Sequence, residues 1–168
     1  FILISLSLGL QNAVEDQFKT LGTDKFFVQP GMWFLGPPGS VGGVILTDKD
    51  VETIKKTRGV KDAVPAVFGN AKIEFNDKIR YQSVIGMETE TDLFIETGNY
   101  KIEEGKFVRR GDSGILLGNL HKTGNLFGKE IRVGDKLTIN NKDVKVRGIL
   151  QKIGNPDDDK MIMMDLKE

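Results

Sequence analysis

The sequence predicts a mixed α+β fold, and three patterns carry that expectation. Two stretches alternate with period two, around 71–85 and 137–148, and each turns on a pair of asparagine or aspartate residues. A strand, helix, strand order spans 25–68, and helical spacing runs through residues 1–21. With 168 residues and 39% hydrophobic content the chain can bury one substantial core or two small ones.

The first element is a helix. Leu3, Leu6, Leu10 and Ala13, then Val14, Phe18 and Leu21, recur at spacings of three and four, and Gly22 supplies a stop. Its first half, Phe1 to Leu10, carries only Ser5 and Ser7 as polar side chains, whereas Gln11, Asn12, Glu15, Asp16, Gln17 and Lys19 follow. Ten residues are too few for a span, which takes roughly 20, and no basic region precedes them as in a signal peptide. Two readings stay open for Phe1, Ile2, Leu3, Ile4, Leu6, Leu8 and Leu10: the outer end of a truncated membrane helix, or a buried core helix. The gradient from wholly apolar to half-wet favours a helix leaving a membrane. A chain opening at Phe1 rather than Met is expected to be a piece of a longer one.

Lys25 to Gln29 is a β-branched and aromatic run ended by Pro30 and Gly31, hence a strand and a turn. The Gly/Pro-rich loop over 31–43 holds one unbroken apolar block, Met32, Trp33, Phe34 and Leu35. That block either folds back as a lid on the core or stands out as a contact patch for a partner or substrate. Thr47 and Asp50 resemble a helix cap, Val51 and Ile54 share a face and Gly59 is a stop, giving a helix over 48–58. Val60 to Phe68 returns to an extended pattern that Pro65 makes irregular or an edge.

The first hairpin places Ile73 and Phe75 before Asn76–Asp77, with Ile79, Tyr81, Ser83 and Ile85 after it. Thr91 to Thr97 and Leu116 to Phe127 each predict a short helix, with a turn-rich charged stretch, Gly98 to Gly111, between them. The second hairpin runs Leu137, Ile139, the Asn140–Asn141 turn, then Val144, Val146 and Gly148; Met161 to Leu166 predicts a last strand.

Composition narrows the chemistry. The 24 basic and 24 acidic residues cancel and form no long block of one sign, which argues against nucleic acid as partner. The absence of cysteine removes disulfides, thiolate zinc sites and thiol nucleophiles. The nearest approach to a phosphate loop, Gly124 to Glu130, has the wrong glycine spacing and Glu130 where a magnesium-binding hydroxyl belongs; a helix stop and a turn explain it better. His121 is the only histidine, expected at a helix surface, and Ser113 lacks the glycine elbow of a nucleophile. Asp157, Asp158 and Asp159 lack calcium-loop spacing and predict a solvated turn. No catalytic residue, cofactor or metal is expected.

With the elements placed, the order of segments resembles the MacB-like periplasmic core domain of FtsX-type ABC transporter permeases. The likeness runs through SLSLGLQNAVEDQFKTLGTDKFFVQPG, LTDKDVETIKKTRGVKDAVPAV, VIGMETE and EEGKFVRRGD to ILLGNLHKTGNLFGKEIRVGDKLTINNKDVKVRGIL and the aspartate turn. It implies an α+β fold with a porter-like βαβ subdomain and a β-rich subdomain. Residues 1–21 would be the end of the first transmembrane helix and a stalk, and 22–168 the extracytoplasmic domain. It also implies a homodimer in the full multi-pass permease and a separate cytoplasmic ABC ATPase subunit or domain that drives export or extraction. No segment resembles a docking signature for an outer-membrane partner, and the substrate is open. The rival reading from another class is a membrane-tethered ligand-binding or sensory module.

Overall fold

The computed structural model describes residues 25–29 and 45–168. The predicted N-terminal helix and the Met32–Leu35 block lie outside the described residues. Thr47 precedes helix α1 (Asp48–Lys55), and both its backbone N–H, at 2.7 Å, and its hydroxyl, at 2.8 Å, donate to the Asp50 carboxylate. The helix ends sooner than the spacing predicts, in turns that reach Gly59 at φ +92°. Pro65, which has no N–H to give a ladder, stands just before strand β1 (Ala66–Phe75). The left-handed pair Asn76 and Asp77 returns the chain as β2 (Lys78–Met87), in unbroken register from Ala66↔Met87 to Phe75↔Lys78.

Then follow helix α2 (Leu93–Thr97), β3 (Ile102–Gly105), β4 (Ile115–Leu117), helix α3 (Leu120–Thr123), β5 (Lys136–Ile139), β6 (Lys142–Leu150), a 3₁₀ turn (Asp158–Lys160) and β7 (Ile162–Asp165). The sheet order is β3-β6-β4-β7-β2-β1-β5, and β5 pairs back onto β6. Six strands therefore close into a small barrel, with β3 added beside the end of β6. Closure is what spares a short-stranded sheet its unpaired edges. The seam is narrow: β1 meets β5 only at Ile73↔Ile139 and Glu74↔Thr138.

Alternation along each strand sorts the apolar side chains into two cores. Ala71, Ile73, Ile115, Leu117, Leu137, Ile139, Val144, Val146, Ile149 and Ile162 fill the barrel, where Phe127 and Ile131 join them from the loop after α3. Their odd-man neighbours Ile85, Met87, Leu116, Leu150, Met161 and Met163 face outward and are covered by Phe94 and Ile95 of α2, Val108 and the partly buried Ile102 of β3. Arg147 is skipped between the pairs Ile115↔Val146 and Leu116↔Gly148, and this bulge switches the inward positions of β6 from Val146 to Ile149. Gly105, at φ +80°, brings β3 so close that a Cβ there would stand 2.2 Å from the Arg147 carbonyl oxygen.

Some expectations fail for physical reasons. Lys25–Gln29 joins no strand of the described sheet; Phe27 instead meets Phe94 edge to face at 6.1 Å. The helix expected over Leu116 to Phe127 is a strand followed by one helical turn, because β4 is buried on both faces and so shows no alternation. Gly98 to Gly111 contains β3, whose Glu103 and Glu104 gave it the look of a loop.

Candidate functional site

Among the described residues the tested chemistry resolves into structural roles. His121 is wholly buried, not at the surface. Its ring stacks on Phe127 at 6.4 Å, Nδ1 lies 3.2 Å from the Gly118 carbonyl, and Nε2 lies 3.0 Å from the Gln82 carboxamide. A neutral imidazole satisfies both contacts, with Nδ1–H donating to Gly118 and Nε2 accepting from Gln82 once that amide is turned. Burial pushes its pKa down to about 4, against the weaker opposing effect of the Gly118 hydrogen bond. Together with Phe127, which also meets Phe75 edge to face at 6.1 Å, the ring is packed into the barrel core from the α3 side.

Ser113 is exposed, and the hydrogen bond at this residue is its carbonyl accepting from Arg147 Nε at 2.6 Å. Gly124 ends α3 and Gly128 turns at φ +72°, as a helix stop and a turn should. The aspartate turn departs from expectation: Asp157 is exposed, but Asp159 is buried. Its carboxylate accepts from the backbone N–H groups of Ile153 at 2.7 Å and Gly154 at 3.0 Å, so it pins the loop that leads into β7. Among the described residues no group of acidic or histidine side chains is arranged to hold a metal ion.

Two open grooves lie among the described residues. One, of about 640 Å³, runs along the start of β2, between Ile79, Arg80 and Tyr81 on one side and Leu126, Asp157 and Lys160 on the other. The second, of about 410 Å³, opens beside the seam, where Val67, Gly69, Val84 and Gly86 face Ile139, Val144 and Met164. A charged brace lies elsewhere: Lys122 donates to Glu103 at 2.7 Å and Glu104 at 2.5 Å, and Asn119 donates to Glu103 at 2.5 Å, tying α3 to β3. Those two hydrogen bonds raise the Lys122 pKa. No sequence signal marked this brace, since its partners lie 16 to 19 positions apart.

The connections of the barrel matter most. Ala66, where β1 starts, pairs with Met87, and Met87 pairs with Asp165, where β7 ends. The chain thus enters and leaves the barrel in one row, at one end.

Two solved structures share this architecture. The extracellular domain of the noncanonic ABC-type transporter YknZ from Gram-positive bacteria superposes with a TM-score of 0.55 at 17% identity, covering 73% of this chain and 63% of that one. The periplasmic region of MacB from Actinobacillus actinomycetemcomitans gives 0.57 at 14% identity, covering 73% and 56%. The fold is thus one also found in the extracellular or periplasmic part of ABC-type transporters. Within it, the chain belongs to the MacB-like periplasmic core domain family, whose model matches residues 1–168. An uncharacterized ABC transporter permease of Methanocaldococcus jannaschii is 30% identical over 165 residues, 98% of this chain and 40% of that protein. The macrolide export ATP-binding/permease protein MacB of Bdellovibrio bacteriovorus is 26% identical over 162 residues, 90% of this chain and 24% of that protein. The chain thus spans well under half the length of either relative. Among the described residues no helix is long and apolar enough to cross a membrane.

Proposed function

We propose that this domain is the outer, non-catalytic part of an ABC permease, through which ATP-driven movement of a partner ATPase reaches a substrate for export or extraction. The observation that carries this reading is the placement of Ala66, Met87 and Asp165 in one row. A barrel held at one end by β1 and β7, the two strands that flank β2, projects as a single body, and a push or pull at its base moves the whole of it. The two open grooves among the described residues agree with a surface that handles a partner or a large substrate.

In this reading residues 1–21 are the end of the first transmembrane helix and a stalk, with Phe1 to Leu10 membrane-proximal. Residues 22–168 form the extracytoplasmic domain, and Met32 to Leu35 offer an apolar contact for partner or substrate. The full permease is a multi-pass homodimer. The M. jannaschii relative, by name a permease, supports the membrane context. The B. bacteriovorus relative unites ATP-binding and permease parts in its name, which supports an ATPase as the source of movement.

Topology mapping of the full-length gene product tests the reading. A span completed upstream of Phe1, three more after Glu168 and a co-encoded ATPase are expected. A single span would replace the permease with a tethered sensory module.

A further inference from the structure

The last residues of a domain usually fray unless something ties them down. Here the ladder does not stop with β7: the Leu166 N–H donates to the Met87 carbonyl at 2.9 Å, extending the parallel pairing with β2 by one rung. The Leu166 side chain lies over Gly86, where a Cβ would stand 3.0 Å from Leu166 Cδ1. The half-buried Asp165 holds the turn from both carboxylate oxygens. Oδ2 accepts from the hydroxyl of the buried Thr89, and Oδ1 accepts from the Lys167 N–H at 2.8 Å.

Beyond it, Lys167 Nζ reaches Glu90 at 3.0 Å, and Glu90 also faces Arg110 at 3.6 Å. Glu168 accepts from the Gly114 N–H at 3.3 Å through its carboxylate and from Lys142 Nζ at 3.3 Å through its carbonyl. Each exposed ion pair is weak alone. Fastening, however, comes from four short residues gripping three separate parts of the fold: the end of β2 with its following loop, the loop before β4, and β6. The hydrogen bond from Lys167 and the Arg110 charge hold the Glu90 carboxyl below its ordinary range, as expected of a carboxylate that is engaged.

We propose that Asp165–Glu168 is an anchoring strap, which fixes the segment leaving β7 to the base of the barrel so that the two move as one body. This rests on the permease reading above, in which movement reaches the barrel through its exit segment. The strap makes the exit a rigid joint, where a free tether would absorb movement before it reached the barrel.

The test uses the full-length permease with its ATPase in lipid nanodiscs, and it has two arms. In the first, hydrogen exchange is followed at the Leu166 amide. Exchange at least about 100-fold slower than in a free chain is expected, falling about tenfold or more in protection in Thr89→Val/Glu90→Gln while Ile162–Met164 keep theirs. Wild-type exchange within about tenfold of the free-chain rate overturns the strap. In the second arm a spin label at Asp77→Cys, on the turn between β1 and β2, reports displacement between the nucleotide-free and ATP-bound states. The double variant is expected to lose about half of that displacement or more, whereas full displacement in the variant overturns the proposal. No displacement in the wild type overturns the permease reading, and the exchange arm then decides the strap alone. Glu90→Gln by itself removes only a surface carboxylate and is the variant to use where the pair does not fold.

Discussion

His121 is a neutral side chain walled in by Phe127, Gln82 and the Gly118 carbonyl, and its titration follows from that. Its folded-state pKa of about 4 lies below the ordinary 6.5, so between these values the unfolded chain takes up the proton more readily. The contribution is fully present above pH 6.5, falls as pH drops towards 4, and levels off below. Its size is on the order of 3 kcal/mol. Denaturant unfolding of wild type and His121→Gln at pH 4, 5 and 7 measures it: the difference between the two proteins should shrink as pH falls. At Gly105 the constraint is steric, since a Cβ would press on the Arg147 carbonyl at a backbone φ of +80°. Gly105→Ala should cost about 2–3 kcal/mol by the same assay. Neither role was legible in the sequence. Lys122 and Thr123 beside His121 gave the look of a wet helix face, and one wall of the ring's pocket, Gln82, comes from β2, 39 positions away.

At the scale of elements, legibility followed periodicity. The pairs β1–β2 and β5–β6 were readable because each puts alternating apolar residues on both sides of a left-handed two-residue turn. Residue 77 is the improvable part of the first turn: Asp77 sits at φ +57°, a conformation glycine adopts without strain. Asp77→Gly should stabilise the protein by about 0.5–1 kcal/mol, seen as a higher denaturation midpoint with an unchanged slope. Strand β4 was not readable. Ile115, Leu116 and Leu117 are all fully buried, Ile115 and Leu117 in the barrel and Leu116 in the outer core. An unbroken apolar run of this kind looks the same in a buried helix and in a strand covered on both faces. β3 was hidden by Glu103 and Glu104, acceptable in a strand because Lys122 answers both charges.

At the scale of the molecule, the mixed α+β class was legible, but the closing of the ring was not. Closure depends on β7 lying parallel to β2 and antiparallel to β4, pairings between segments about 45 to 80 positions apart that no local pattern announces. The same dependence yields a prediction. A chain ending at Pro156 lacks Ile162 from the barrel core and Met161 and Met163 from the outer core, so both cores lose their shared wall. It should unfold over a broad range without a sharp transition, whereas the intact chain should show one cooperative step by circular dichroism and by Trp-independent probes such as hydrogen exchange.

That last strand also sets a timetable for synthesis. Every earlier strand leaves the ribosome before the one that sits between β2 and β4, so the newly made chain must wait with two open edges and an uncovered apolar face. Long-range parallel pairing is slow to form. For this domain, the interval before residues 162–165 emerge is when protection from aggregation and from proteases counts most.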